Sequence, residues 1–170
     1  FNTFYTMVDG LFVSNLIGME ALSAINLTAP AIALITAISG MLATGGSAVV
    51  MKKMGEHKEQ EARQDFTLLI LTNAVVGAVM MMLGYTLMDT LLGTMGLSPA
   101  VFGYCHTYLS NYLLFTIPIL LMYNFSLYLI AADRSTLSLI CTVAGGVTNI
   151  ILDYVLIDLF NMGIQGAAIA

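Results

Sequence analysis

The sequence predicts an all-α, polytopic transmembrane helical bundle, and three observations carry that prediction. Of 170 residues, 59% are hydrophobic and only 9% charged, whereas soluble domains average about 25% charged residues. A soluble domain of this size still exposes roughly a third of the surface its unfolded chain shows, and this chain lacks the polar side chains to cover it. The apolar residues also gather into runs of bilayer length separated by short polar breaks, and every Lys and Arg falls in alternate breaks. Lipid is therefore the outer solvent, and helices that satisfy their own backbone are the structures that tolerate it.

A spanning helix needs about 20 mostly apolar residues. The runs cover residues 1–17, 21–51, 66–88, 100–131 and 136–158, and a sixth begins near Gly166. The first ends at IGMEA. The second is long enough to tilt or project into the headgroups, has Pro30 as a candidate bend, and carries the small-residue stretch SGMLATGGSA at 39–48. Such small side chains let helix backbones approach closely. The polar stretch KKMGEHKEQEARQD follows and reads as a solvated turn leading into an amphipathic surface segment. The third run holds Met80, Met81 and Met82, and its Leu- and Met-rich face over residues 68–83 is expected to meet lipid. The fourth, again longer than one crossing, is expected to bend at Pro118, because proline loses a helical hydrogen bond. AADRS separates it from the fifth run, which ends at DLFNMGIQ. Phe1 in place of Met, and an end inside the apolar stretch GIQGAAIA, predict a fragment of a larger polytopic protein, cut at both ends.

Lys52, Lys53, Lys58 and Arg63 lie in the second connection and Arg134 in the fourth. With five runs in register, even connections share one side, and the positive-inside rule makes it the cytoplasm. Connections 52–65 and 131–135 are thus expected to be cytoplasmic, in a multi-pass protein of the cell membrane, with the loops near Glu20, Asp89 and Asp158 outside. The basic residues form no nucleic-acid-binding patch. Cys105 and Cys141 read as small apolar residues rather than a disulfide or metal pair, and His106 as an interfacial histidine.

Ionisable side chains are nearly eliminated from the runs, which makes the exceptions informative. Asp9 stands in the first run and Asp153 in the fifth. A charge at mid-membrane costs from about 2.5 kcal/mol upward, so such residues usually face a cavity and serve function. Asn149 lies one turn before Asp153, about 40° away around the helix, and Gly145 one turn earlier again. Asp9 and Asp153 both fall roughly 8–12 Å below the outer surface by helical rise. One carboxylate from each of two helices, with the Asn149 amide one turn deeper, offers oxygen ligands to a small cation, or a shared proton. Asp9, Asn149 and Asp153 are therefore the candidate cation-binding or proton-coupling residues, with Na⁺ at most as the metal. No nucleophile elbow, P-loop, HExxH or dinucleotide fingerprint is present.

Three blocks, TMVDGLFVSNLIGMEALSAINLTAP, GGSAVVMKKMGEHKEQEAR and TNIILDYVLI with the following NMGIQGAAIA, resemble the MATE (multidrug and toxic compound extrusion) transporters in order and spacing across essentially the whole chain. Asp rather than Asn at position 153 resembles the DinF-type, MepA-like branch. The resemblance implies helices 1–5 and the start of 6 of a twelve-helix, two-lobe transporter, residues 1–170 being its N-terminal lobe. It further implies no enzyme and no cofactor, but an antiporter that exports small organic, often cationic, compounds for Na⁺ or H⁺, with the second lobe of the same chain as partner. The helix 1 carboxylate of that family matches Asp9, and its helix 5 amide and acid match Asn149 and Asp153. A lipid or polysaccharide-precursor flippase of the same superfamily is the alternative. An intramembrane aspartyl protease is a remote one, since VDG and LDY stand where that group has YD and GxGD.

Overall fold

The computed structural model describes residues 10–170, and among them there is helix but no strand. Helical residues 10–16 form α1, followed by α2 (Met19–Gly55), α3 (Glu59–Thr94), α4 (Pro99–Leu114), α5 (Thr116–Ala131), α6 (Ser135–Asp153) and α7 (Ile164–Ile169). Between α6 and α7 the six residues Tyr154–Leu159 wind as a π-helix. Helices α2 and α3, and α6 with its π turn, are each long and apolar enough to cross a membrane, and α4 with α5 makes a broken span. The fold class is the all-α polytopic one the sequence predicts.

The second connection is shorter than expected. Helix α2 has 37 residues and α3 has 36, about 55 Å each against a hydrocarbon core of about 30 Å, so both run on into water. Lys52 and Lys53 occupy the last turn of α2, while Glu59 and Glu61 occupy the first turn of α3. Each charge suits the helix dipole at its end, and Lys53 Nζ ties the helices together through Asp65 (2.7 Å) and Glu61 (3.4 Å). Only Glu56, His57 and Lys58 remain between the helices. His57 takes a left-handed φ of 59°, the Lys58 amide donates to Lys53 O and the His57 amide to Met54 O. These are the two bonds of a Schellman stop. Asp133, also at φ 59°, ends α5 in the same way, with Arg134 N donating to Leu129 O.

Pro118 breaks the fourth span as expected. It has no N–H for the carbonyl of Leu114, and its ring crowds that group; α4 stops at Leu114. Pro30, by contrast, lies within a continuous α2.

The chain divides into two units. Unit 1 comprises Phe1–Ala31, Leu83–Leu114 and Val143–Ala170, and unit 2 comprises Ile32–Met82 and Phe115–Thr142. In unit 2, Val50, Ala62 and Tyr128 form a core with Met51, Phe66 and Leu69 packed on it. Phe66 stands edge-on to Tyr128, with ring centres 4.6 Å apart. The small residues of 39–48 act as contact rather than as a joint. Ser39, Ala43, Gly46 and Ser47 are buried along one face of α2, Gly46 O accepts from Tyr128 Oη (3.3 Å), and a Cβ at Gly46 would overlap Leu69. On α3 the residues Leu68, Leu71, Val75, Val79 and Met82 make an exposed stripe, 50–65% accessible, as a face meeting lipid requires.

In unit 1, Cys105 is buried with its Sγ toward Ala24 O (3.7 Å), and Tyr85 Oη donates to Ser110 O (2.7 Å). Cys141, expected in the core, is exposed instead, and both cysteines are free. His106 Nε2 lies 3.4 Å from Asp89 Oδ1 and stacks on Phe102.

Candidate functional site

The site grows from the fifth span. Valine, isoleucine and leucine make VTNIILDYVLI helical and apolar, and the helical period then decides which polar groups turn inward. Gly146, Asp153 and Ile157 are buried, whereas Val147, Ile151 and Tyr154 are exposed. Asp153 is fully inaccessible at 0% exposure. One turn before it, Asn149 keeps its Oδ1 buried and without a hydrogen-bond partner among the described residues. Gly145, expected on the same line, is exposed and faces open space. The buried small residue is its neighbour Gly146.

The backbone changes immediately after Asp153, which caps the π-helix Tyr154–Leu159. Phe160 N donates to Val155 O, five residues back (2.9 Å). π turns are rare and recur at functional sites. Helix α7 braces this one: it packs on the π turn and on α4, and a Cβ at Gly166 would come within 3.0 Å of the Leu156 carbonyl carbon. A side chain there would press on backbone, which yields less readily than a side-chain tip.

The π turn also adjoins α1. Leu11, Phe12, Asn15 and Leu16 of α1, with Tyr154 and Asp158, line a groove of about 380 Å³. First-span and fifth-span residues thus share one surface in unit 1. Asp9, the third residue expected at the site, lies outside the described residues. Among the described residues no three of His, Cys, Asp and Glu cluster as a multidentate metal site would require.

A second polar element escaped the sequence reading. In unit 2, Asn73 of α3 and Asn124 of α5 are both 0% exposed. Asn124 Nδ2 donates to Asn73 Oδ1 (2.8 Å) and to Leu120 O (2.8 Å), while Asn73 Nδ2 donates to Leu69 O (2.8 Å). Ser39 Oγ reaches the same Leu120 O at 3.5 Å. The signal was an amide within the apolar stretches LTNAV and MYNFS, the same kind of signal as Asn149. A search for charge inside the spans passes over it.

Known proteins are similar to the chain along nearly all of its length. The chain is 22% identical over 97% of its length to the multidrug export protein MepA of Staphylococcus saprophyticus, and 23% identical over 97% to that of Staphylococcus haemolyticus. It covers 37% and 36% of those proteins, little more than a third of their length. In fold it is similar to the outward-facing conformation of a multidrug resistance MATE family transporter of the MOP superfamily, with a TM-score of 0.92 at 24% identity, over 98% of this chain and 37% of that one. The MatE family model matches residues 1–155, and the chain therefore belongs to the MATE family of membrane transporters.

Proposed function

We propose that this chain is the N-terminal-lobe portion of a two-lobe antiporter in the cell membrane. The whole protein exports small organic, often cationic, compounds against an inward gradient of Na⁺ or H⁺. It performs no covalent chemistry. Asp153 is the coupling group, Asn149 supplies a second oxygen, and Asp9 supplies the carboxylate of the first span. The second lobe closes the cavity from the opposite side, and connections 52–65 and 131–135 face the cytoplasm.

The observation that supports this most is the inaccessible carboxylate of Asp153, one turn from the buried, unpartnered Oδ1 of Asn149. A carboxylate in an apolar environment is costly unless neutralised. A proton or a small cation does this reversibly. Filling and emptying the site then favours one lobe conformation over another, so the ion gradient biases alternating access.

The test uses the complete protein in sealed vesicles with Na⁺ and pH gradients imposed independently. Export of a fluorescent organic cation driven by one of the two gradients is expected. Export indifferent to both gradients removes the antiport reading.

A further inference from the structure

In unit 2 a groove of about 550 Å³ runs between α2, α3 and α5, within the roughly 300–1,000 Å³ typical of ligand sites. Its walls are Met51, Met54, Phe66, Phe125 and Leu129, with Arg63 and Thr67 as its polar members. Phe125 and Met54 remain 46% and 49% exposed there. No Asp or Glu lines the groove, so an organic cation finds no counter-ion in it.

Arg63 differs from its basic neighbours. Lys53 is held by Asp65 and Glu61, and Lys58 by Glu56, but Arg63 makes no ion pair among the described residues. Thr67 Oγ1 donates to Arg63 O (3.0 Å), which leaves the guanidinium as the groove's available donor. Arg63 and Thr67 also line a shallow neighbouring depression with Gln60, Gln64, Leu68 and Leu71. Leu68 and Leu71 begin the exposed stripe of α3. The groove therefore continues onto the face that meets lipid, with one unpaired cation at the junction.

We propose that this groove holds an acyl chain of an anionic phospholipid whose phosphate sits on Arg63. The surroundings suit that occupant. All five Lys and Arg residues belong to unit 2, basic residues mark the cytoplasmic side, and that leaflet carries the anionic lipids such residues attract. A guanidinium presents paired donors to a phosphate, which the lone ammonium of Lys does less well. Gln60 and Gln64 line the depression beside Arg63. The site is separate from Asn149 and Asp153, and its occupant is not the exported compound.

The test measures lipid retention by the delipidated complete protein after re-addition of dioleoyl phosphatidylglycerol or dioleoyl phosphatidylcholine, read by native mass spectrometry. The wild type is expected to prefer phosphatidylglycerol by about fivefold, the factor one basic residue contributes near an anionic surface. Arg63→Gln removes the preference, and Arg63→Lys keeps part of it. Met54→Trp, which fills the groove without altering its charge, lowers retention of both lipids. Equal retention by the wild type overturns the proposal, as does an undiminished preference in Arg63→Gln. Glycerol 3-phosphate held as firmly as the lipid also overturns it, since the acyl chain would then contribute nothing.

Discussion

The two units of this molecule hold their buried polar groups in opposite ways. Unit 2 contains every Lys and Arg of the chain, yet its buried polar side chains are neutral amides and hydroxyls, with Asn73 bonded to Asn124 and Ser126 Oγ to Ser138 Oγ at 2.9 Å. Unit 1 contains no Lys or Arg and buries a carboxylate completely at Asp153. A neutral amide pair joins helices without calling for a counter-charge. On the function proposed above, the fully buried carboxylate of Asp153 is the group that takes up a proton or a cation. On that proposal, the contrast is between polarity that joins helices and polarity that couples transport to an ion.

The largest effect tests that separation directly. Asp153→Asn in the complete protein is expected to reduce gradient-driven efflux to the level of empty vesicles, while the protein inserts and melts normally. Asn73→Leu is expected to leave efflux near the wild-type rate at a temperature where both proteins are folded. Transport measured in parallel on the two variants breaks the comparison if their effects are reversed.

Next is the brace behind the site. Gly166→Ala forces backbone apart at Leu156 and is expected to destabilise by about 1–3 kcal/mol, the usual range for overpacking. Gly145→Ala, where nothing lies within 4 Å of the added Cβ, is expected to be neutral or slightly stabilising, since alanine is the better helix former. Thermal melts in detergent compare the two, and equal shifts would mean that α7 does not hold the π turn.

A smaller effect is expected for the amide pair. Asn73→Leu removes one of the two acceptors of Asn124 Nδ2, leaving Leu120 O, at about 1 kcal/mol, since interhelical hydrogen bonds in membranes average about 0.6 and reach about 1.7 kcal/mol. The double variant Asn73→Leu/Asn124→Leu is expected to recover part of the loss, because removing both partners leaves no unsatisfied group. A double-mutant cycle without coupling would deny the pair its joining role.

The smallest effect concerns the Lys53 bridge. Its hydrogen bond to Asp65, chiefly, holds the Lys53 pKa above the ordinary lysine value. A group whose pKa is raised by folding contributes its stability in full below the unfolded value and loses it as pH rises through the folded one. Lys53→Met is therefore expected to lower the melting temperature slightly at neutral pH and low salt. The difference should vanish above the lysine range and shrink at high salt, because exposed pairs are screened. A difference unchanged by pH and salt would assign the effect to packing of the lysine stem.

The sequence by itself determined what depends on solvent and on nearest neighbours along the chain. Apolar content and run length dictated membrane helices, Pro118 dictated the break at Leu114 through a bond it cannot make, and the isolated charge of Asp153 marked the candidate site. The even connections drew in every basic residue, all of them within unit 2. Tertiary structure decided what depends on partners distant in sequence. Successive i, i+4 steps pointed to Gly145, but each step drifts about 40° around the helix, which leaves Gly145 about 80° from Asp153 and Gly146 only about 20°; the packed neighbours cover Gly146. Nothing local foretold the π turn after Asp153, which α7 braces at Gly166. Nor did Gly55 take the left-handed turn its type favours; α2 and α3 ran on until the stop fell at His57. Asn73 and Asn124 lie 51 residues apart, and each alone is only an amide in an apolar run. Their role exists only once α3 and α5 bring them together, because a hydrogen bond is a property of two groups and a sequence records them one at a time.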